Sequence, residues 1–396
     1  MLKEYFLFLI ISHGIFAYPN QNNKYEIRMP EITTIMDDEY WCYSQRIENK
    51  TFYITGFKPV YDPTLVHHLI LFGCDKPGST EGLWKCGEMS DDETPVCNAS
   101  ESILYSWAMG APSFEMPDDV SFKVGYETPY KYFVLQVHYK DAMNLEEKDT
   151  SGLELTTQST PTGKLAGIYI LVSGEDIGPS QIDCSENNTS LGTSYMSARL
   201  DVACSYTGNA TLHPFAFRVH THSHAVESLR NFLLLYSILY FRHNIEFSAQ
   251  SVLSKGYVVD GNESYLIGSK SPQEHQTFYP VQNQSLEIHK QNIIVARCIM
   301  QNNESRIIRM GNTRNDEMCN FYIMYWVTND NEQQLYDTNN QVCYVGDGSD
   351  IYENFQELYK KLLDNSFFPD FEFMNPDIND FFDNFENPYL NQQIEP

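Results

Sequence analysis

Apolar and polar residues follow one another along this chain in short alternating or aromatic-rich runs. KTFYITGFKPV, HHLILFGC, KYFVLQVHY, LAGIYILVSG, FAFRVHTH, IIVARCIM and NFYIMYWV are each broken off by Gly, Pro, Asn or Asp, as β-strands ending in turns are. Long stretches of helical period are absent. So many strands exceed what one sandwich uses, and the pattern predicts an all-β chain of two antiparallel, jelly-roll-like β-sandwiches. The best linker is TTQSTPTGK at Thr156–Lys164, polar and carrying Pro and Gly, which divides the chain into 18–160 and 161–345. Residues 346–396 are acidic and aromatic without a sustained period, and read as a disordered tail.

Composition narrows the class. The 396 residues are 42% hydrophobic and 14% aromatic, enough to build a core in each of two domains. A net charge of −27 with no basic cluster excludes a nucleic-acid partner, because phosphate binding needs a cationic face. Residues 1–17, MLKEYFLFLIISHGIFA, carry one early lysine, an apolar stretch too short to span a bilayer and a terminal small residue, which predicts a secretory signal peptide. The nine cysteines are scattered rather than paired as CxxC, which suits disulfides in an oxidising compartment. Glycosylation sequons at Asn49, Asn98, Asn187, Asn188, Asn209, Asn262, Asn283 and Asn303 agree with secretion. No membrane span is expected.

Histidines carry the candidate chemistry. TLVHHLILFGC supplies His67 and His68, and FVLQVHYKD supplies His138 at a strand end. Neighbours on a regular strand point to opposite faces, so His67 and His68 can serve one ion only at a strand end or a bulge. RVHTH is the stronger signal: Arg218, His220 and His222 fall at i, i+2 and i+4, all on one strand face. The same period aligns Met318, Asn320, Tyr322 and Met324 in DEMCNFYIMYW, where inward methionines of a sandwich core are the plain alternative. Taken together, three imidazoles and a second set of two imidazoles with a thioether suggest two metal centres of unequal softness. Thioether favours Cu(I) over zinc, and copper points to one-electron and dioxygen chemistry.

These motifs closely resemble the peptidylglycine alpha-hydroxylating enzymes of the copper type II ascorbate-dependent monooxygenase family. The resemblance runs from about Tyr40 to Cys343 and rests on VHHLILFGC, KYFVLQVHY, FAFRVHTH, FYPVQNQSLEI, IIVARCIM and DEMCNFYIMYW in family order. It implies two copper sandwiches facing across an open, solvent-filled cleft. His67, His68 and His138 would form the electron-accepting copper, and His220, His222 and Met318 the copper where oxygen and substrate meet. It further implies ascorbate as reductant, O2 as co-substrate, glycine-extended peptides as substrates, a secretory-granule or secreted location, and a separate lyase for the second step of amidation. Arg218 would hold the peptide carboxylate, helped by Asn320 and Tyr322, with Met324 beside them; a guanidinium suits a carboxylate because it can bind it bidentately. Amine hydroxylases share the histidines but bind a cation, which leaves Arg218 without a use.

Other residues follow from the same likeness. Gln136 shares a strand face with His138 and could orient it, and His213 matches a family histidine near the oxygen-binding copper. The implied disulfides are Cys42–Cys86, Cys74–Cys97, Cys204–Cys343 and Cys298–Cys319. Thr150 stands where a further family cysteine falls, and Cys184 is left over. About seven residues after HTH the family resumes with a Gly-Tyr pair, here Gly256-Tyr257, and removing about Val226–Ser251 restores that spacing. Val codons open with GT and a Gln codon can end in AG, so the segment reads as a retained intron or, alternatively, as a genuine insertion. A secreted copper-binding but inactive paralogue, and a zinc hydrolase, are the rival readings; the hydrolase would need a carboxylate base that neither histidine motif supplies.

Overall fold

The computed structural model describes residues 23–345 except 48–49, 88–93, 99–100, 109, 175, 179–197, 223–249, 262, 273, 303–305, 312–315 and 338–340. The expected signal peptide, Cys184, the acidic tail and nearly all of the 226–251 segment lie outside the described residues. Its last two positions, Gln250 and Ser251, open a strand.

The strands, labelled β1–β19 in chain order, form two sandwiches. In the first, β1 (Asn23–Arg28), β10 (Gly152–Gln158), β3 (Thr51–Val60) and β8 (Val120–Gly125) make one sheet. The order β5 (Leu83–Lys85), β2 (Glu39–Arg46), β9 (Tyr132–Tyr139), β4 (Val66–Cys74), β6 (Glu101–Ala108) makes the other. Alternation decides what lies between them: Leu69, Leu71, Leu135 and Val137 turn inward against Ile54, Phe122, Leu153 and Leu155, all buried. Each such side chain contributes roughly 1.5–3 kcal/mol by leaving water.

The second sandwich packs β11 (Lys164–Ser173), β18 (Cys319–Thr328), β13 (His213–His220) and β16 (Tyr279–Pro280) against β12 (Ala198–Ser205), β17 (Ile293–Gln301), β14 (Gln250–Asp260) and β15 (Glu263–Lys270). Phe217 and Val219 of β13 and Phe321 and Ile323 of β18 face its core. Pairing is antiparallel except where β11 meets β8 and β19 (Val342–Val345). Four disulfides close the described chain, joining Cys42 to Cys86, Cys74 to Cys97, Cys204 to Cys343 and Cys298 to Cys319. They belong to an oxidising compartment. Among the described residues no helix is long and apolar enough to cross a membrane.

The halves are not held apart. Four of the nine residues of the polar TTQSTPTGK stretch are strand, Thr156–Gln158 in β10 and Lys164 at the start of β11. β8 and β11 then pair directly, Val120 with Lys164 and Ser121 with Leu165, so one sheet runs from the first half into the second. One apolar cluster also bridges them, joining Phe57 and Tyr105 to Ile168, Ala216, Phe278 and Met324.

Candidate metal centres

The first centre forms where β4 meets β9. His68 pairs with His138, and the register slips between Val66 and His68, which makes His67 the bulged residue. That bulge overrides strand alternation and turns both neighbouring rings to one side, with their Nδ1 atoms 3.3 Å apart. His67, His68 and His138 bring one ligand nitrogen each to within 4.8 Å of one another. Tyr40 stacks on His138 with ring centroids 4.1 Å apart, and the His138 Nε2–H donates to Asp38 Oδ1 at 3.3 Å. A ring whose Nε2 gives its proton to a carboxylate keeps Nδ1 as a lone-pair donor.

The second centre lies on the face of β13 and β18 that turns away from its own sandwich core. Cross-strand register sets Arg218 opposite Tyr322, His220 opposite Asn320 and Ala216 opposite Met324. His222 follows the end of β13, with ring centroids 5.5 Å from His220. His220 Nδ1–H donates to Gln276 Oε1 at 2.5 Å, and His222 Nδ1–H to the Asp316 carbonyl at 3.4 Å. Both rings therefore keep Nε2 for a ligand. Met318 is buried just before β18, its sulfur 3.6 Å from Asn320 Nδ2. The preceding Glu317 accepts the backbone N–H of Met318 at 2.9 Å and is also hydrogen-bonded by the backbone of His222, which ties two candidate ligands from separate elements together.

Arg218, only 1% exposed, donates from Nε to the Gln276 carbonyl at 2.9 Å and sits 5.0 Å from the centre of the Tyr322 ring. Among the described residues Asn320 Oδ1 is buried without a hydrogen-bond partner. Met324 is fully enclosed in the cluster between the halves. Gln136 shares the His138 face but donates to the Gly87 carbonyl at 3.2 Å, while its buried Oε1 has no hydrogen-bond partner among the described residues. His213 stacks on Trp326 at the far end of β13, seven residues or about 23 Å from His220.

The two centres also meet. The rings of His68 and His220 are 6.1 Å apart, which brings the two centres side by side. Sheet continuity and the shared apolar cluster supply the physical reason. Burial first, then the neighbouring His138, His222 and Lys140, pushes His67 down to about 3, and burial holds His68 and His220 well below the usual histidine range. The rings are neutral donors at pH 7. Two Nδ1 atoms facing one another at 3.3 Å can share only one proton or a cation, and neutral imidazoles with a thioether suit a soft-to-borderline metal such as copper.

Residues 25–146 match the family model described as copper type II ascorbate-dependent monooxygenase, N-terminal domain, and residues 246–356 match its C-terminal domain counterpart. The chain belongs to this monooxygenase family. It is 32% identical over 337 residues to peptidyl-glycine alpha-amidating monooxygenase B of Xenopus laevis, covering 84% of this chain and 33% of that protein. To the peptidyl-glycine alpha-amidating monooxygenase of Mus musculus it is 35% identical over 306 residues, covering 76% and 26%. Dopamine beta-hydroxylase of Equus caballus is more distant, at 25% over 214 residues, covering 52% and 34%. The chain thus spans about a third of the length of the frog protein and about a quarter of the mouse one.

Sequence reasoning located the histidines but missed Asp38, Tyr40, Glu317 and Gln276, which hold them. Asp38 and Tyr40 carried a faint signal, opening the strand beside His138; Gln276 comes from a distant turn and carried none.

Proposed function

We propose that this chain hydroxylates the α carbon of the C-terminal glycine in glycine-extended peptides, using two copper ions, O2 and ascorbate. One glycine C–H becomes C–OH, the second oxygen atom leaves as water, and two ascorbates give up one electron each. His67, His68 and His138 would hold one copper, and His220, His222 and Met318 the other. Copper bound there supplies the one-electron chemistry that dioxygen requires.

Arg218 is the observation that carries the reading: a buried guanidinium on the same strand face as His220, two residues away. A peptide carboxylate held bidentately by that fork places the adjoining α carbon beside the second centre. Tyr322 and Asn320, directly across the register, serve to orient the glycine unit, the Asn320 oxygen as acceptor for its N–H. Met324 forms the apolar floor beneath Tyr322, and Gln136 offers its buried oxygen at the first centre. The hydroxylated product still needs its C–N bond cleaved, which we assign to a separate lyase in the same secretory-granule lumen.

An amine hydroxylase is the second reading, and the buried cation opposes it, since a protonated amine beside Arg218 would be repelled. The decisive experiment incubates purified protein with copper, ascorbate and a glycine-extended peptide, with and without Val226–Ser251, and follows addition of one oxygen by mass spectrometry. Hydroxylation by either form supports the proposal. Copper binding without turnover in both forms overturns it in favour of an inactive copper-binding paralogue.

A further inference from the structure

The turn before β16 reaches three places at once. His275 lies against Gly110 of the first half, where an added Cβ would meet its ring nitrogen at 2.9 Å, and Phe278 packs between Tyr105 and Phe114. Between them Gln276 points inward. Its Oε1 accepts from His220 Nδ1 at 2.5 Å, and its Nε2 donates to the carbonyls of Thr221 at 2.9 Å and Pro272 at 3.2 Å. Its own carbonyl accepts from Arg218 Nε at 2.9 Å. The two donor bonds fix which end of the amide faces the histidine, so His220 must present a protonated Nδ1 to Gln276 and a bare Nε2 to the centre.

We propose that Gln276 is a positioning residue that sets the tautomer of His220 and the aim of Arg218 together, from a turn docked on the opposite half. The assignment of His220 as a ligand and Arg218 as the carboxylate clamp rests on the proposed function. One residue then aligns the two groups that must share a single substrate, and it does so only while the halves are in contact. Losing an outer partner of a metal-bound imidazole costs on the order of 10–100-fold in affinity.

Gln276→Leu keeps the shape and removes all three side-chain bonds; Gln276→Glu keeps the acceptor and loses the donors. Each is tested in the full chain for copper affinity, for the sulfur contribution to X-ray absorption of the Cu(I)-loaded protein, and for KM and kcat with an N-acetylated tripeptide ending in glycine. We expect Gln276→Leu to bind its second copper about tenfold or more weakly while the first is held as in wild type, and to raise KM. Gln276→Glu should recover the second copper but not KM, because Thr221 and Pro272 lose their donor. Wild-type affinity for both coppers and an unchanged KM in Gln276→Leu would overturn the inference. Should Gln276→Leu fail to fold, Gln276→Glu decides: wild-type affinity with raised KM supports the inference, and wild-type KM overturns it. A wild-type protein that does not turn over the peptide refutes the proposed function, and selective loss of the second copper in Gln276→Leu would still sustain the positioning role.

Discussion

Arg218 costs the fold something, because a guanidinium that is 1% exposed has been taken out of water, with a carbonyl bond and an aromatic face among its contacts. Such a placement is useful where an anion is to be met in a low-dielectric setting. Arg218→Lys keeps the charge but loses the planar fork, and should raise KM for glycine-extended peptides about tenfold or more while changing kcat less; charged hydrogen bonds are worth about 1.5–3 kcal/mol. Wild type should discriminate strongly against the methyl ester of the same peptide, and the variant weakly. Equal discrimination by both proteins would remove Arg218 from the carboxylate. This residue was legible in the sequence because strand period alone put it on the face of His220. The pairing of His67 with His68 was half legible: a bulge was required, but only the register slip after Val66 shows that one exists.

Strands β13 and β18 have two faces with separate duties, and the one packed in the sandwich core governs the one that carries the candidate ligands. Behind Arg218 and His220, Phe217 and Phe321 stack at 5.7 Å with their planes 7° apart. Opposite them, Gly268 and Gly256 are cross-strand partners in β15 and β14. A Cβ on Gly268 would come within 2.1 Å of the Phe217 ring, and one on Gly256 within 2.3 Å of Phe321. Paired glycines therefore make room for paired rings. Gly268→Ala should destabilise by about 1–3 kcal/mol, as overpacked cores do, and weaken the second copper because β13 must shift to relieve the contact. Denaturant unfolding and copper stoichiometry check both parts; an unaltered midpoint would mean the sheets can separate without cost. From the sequence, Gly256 was visible only as a family landmark. Its physical reason is a contact across two sheets, which no local period encodes.

At the scale of the molecule, the alternation of strands foretold two sandwiches but not the sheet that runs through both, since the β8–β11 pairing joins segments by a contact with no pattern of its own. That union gathers imidazoles of both centres into one cluster, in which the buried His68 lies near the half-buried His67 and the buried His138 and His220. In metal-free protein the arrangement makes stability depend on pH with a definite sign. His67 falls to about 3, and His68 and His220 lie well below the ordinary 6.5, with burial as the largest cause in each. Between those limits each of these histidines binds more protons in the unfolded chain than in the folded one. Stability is then fully present above pH 6.5 and drains away as pH falls, by up to about 1.4 kcal/mol per pH unit for each such histidine. Burial holds Glu317 well above the ordinary carboxylate range, with the opposite sign, so the histidine share is read as a difference. Chelated wild type unfolded in denaturant at pH 7.5, 6.5 and 5.5 should lose more stability across the lower step than chelated His67→Gln does. Equal slopes in the two proteins would mean that His67 is hydrated and the two halves stand apart without metal.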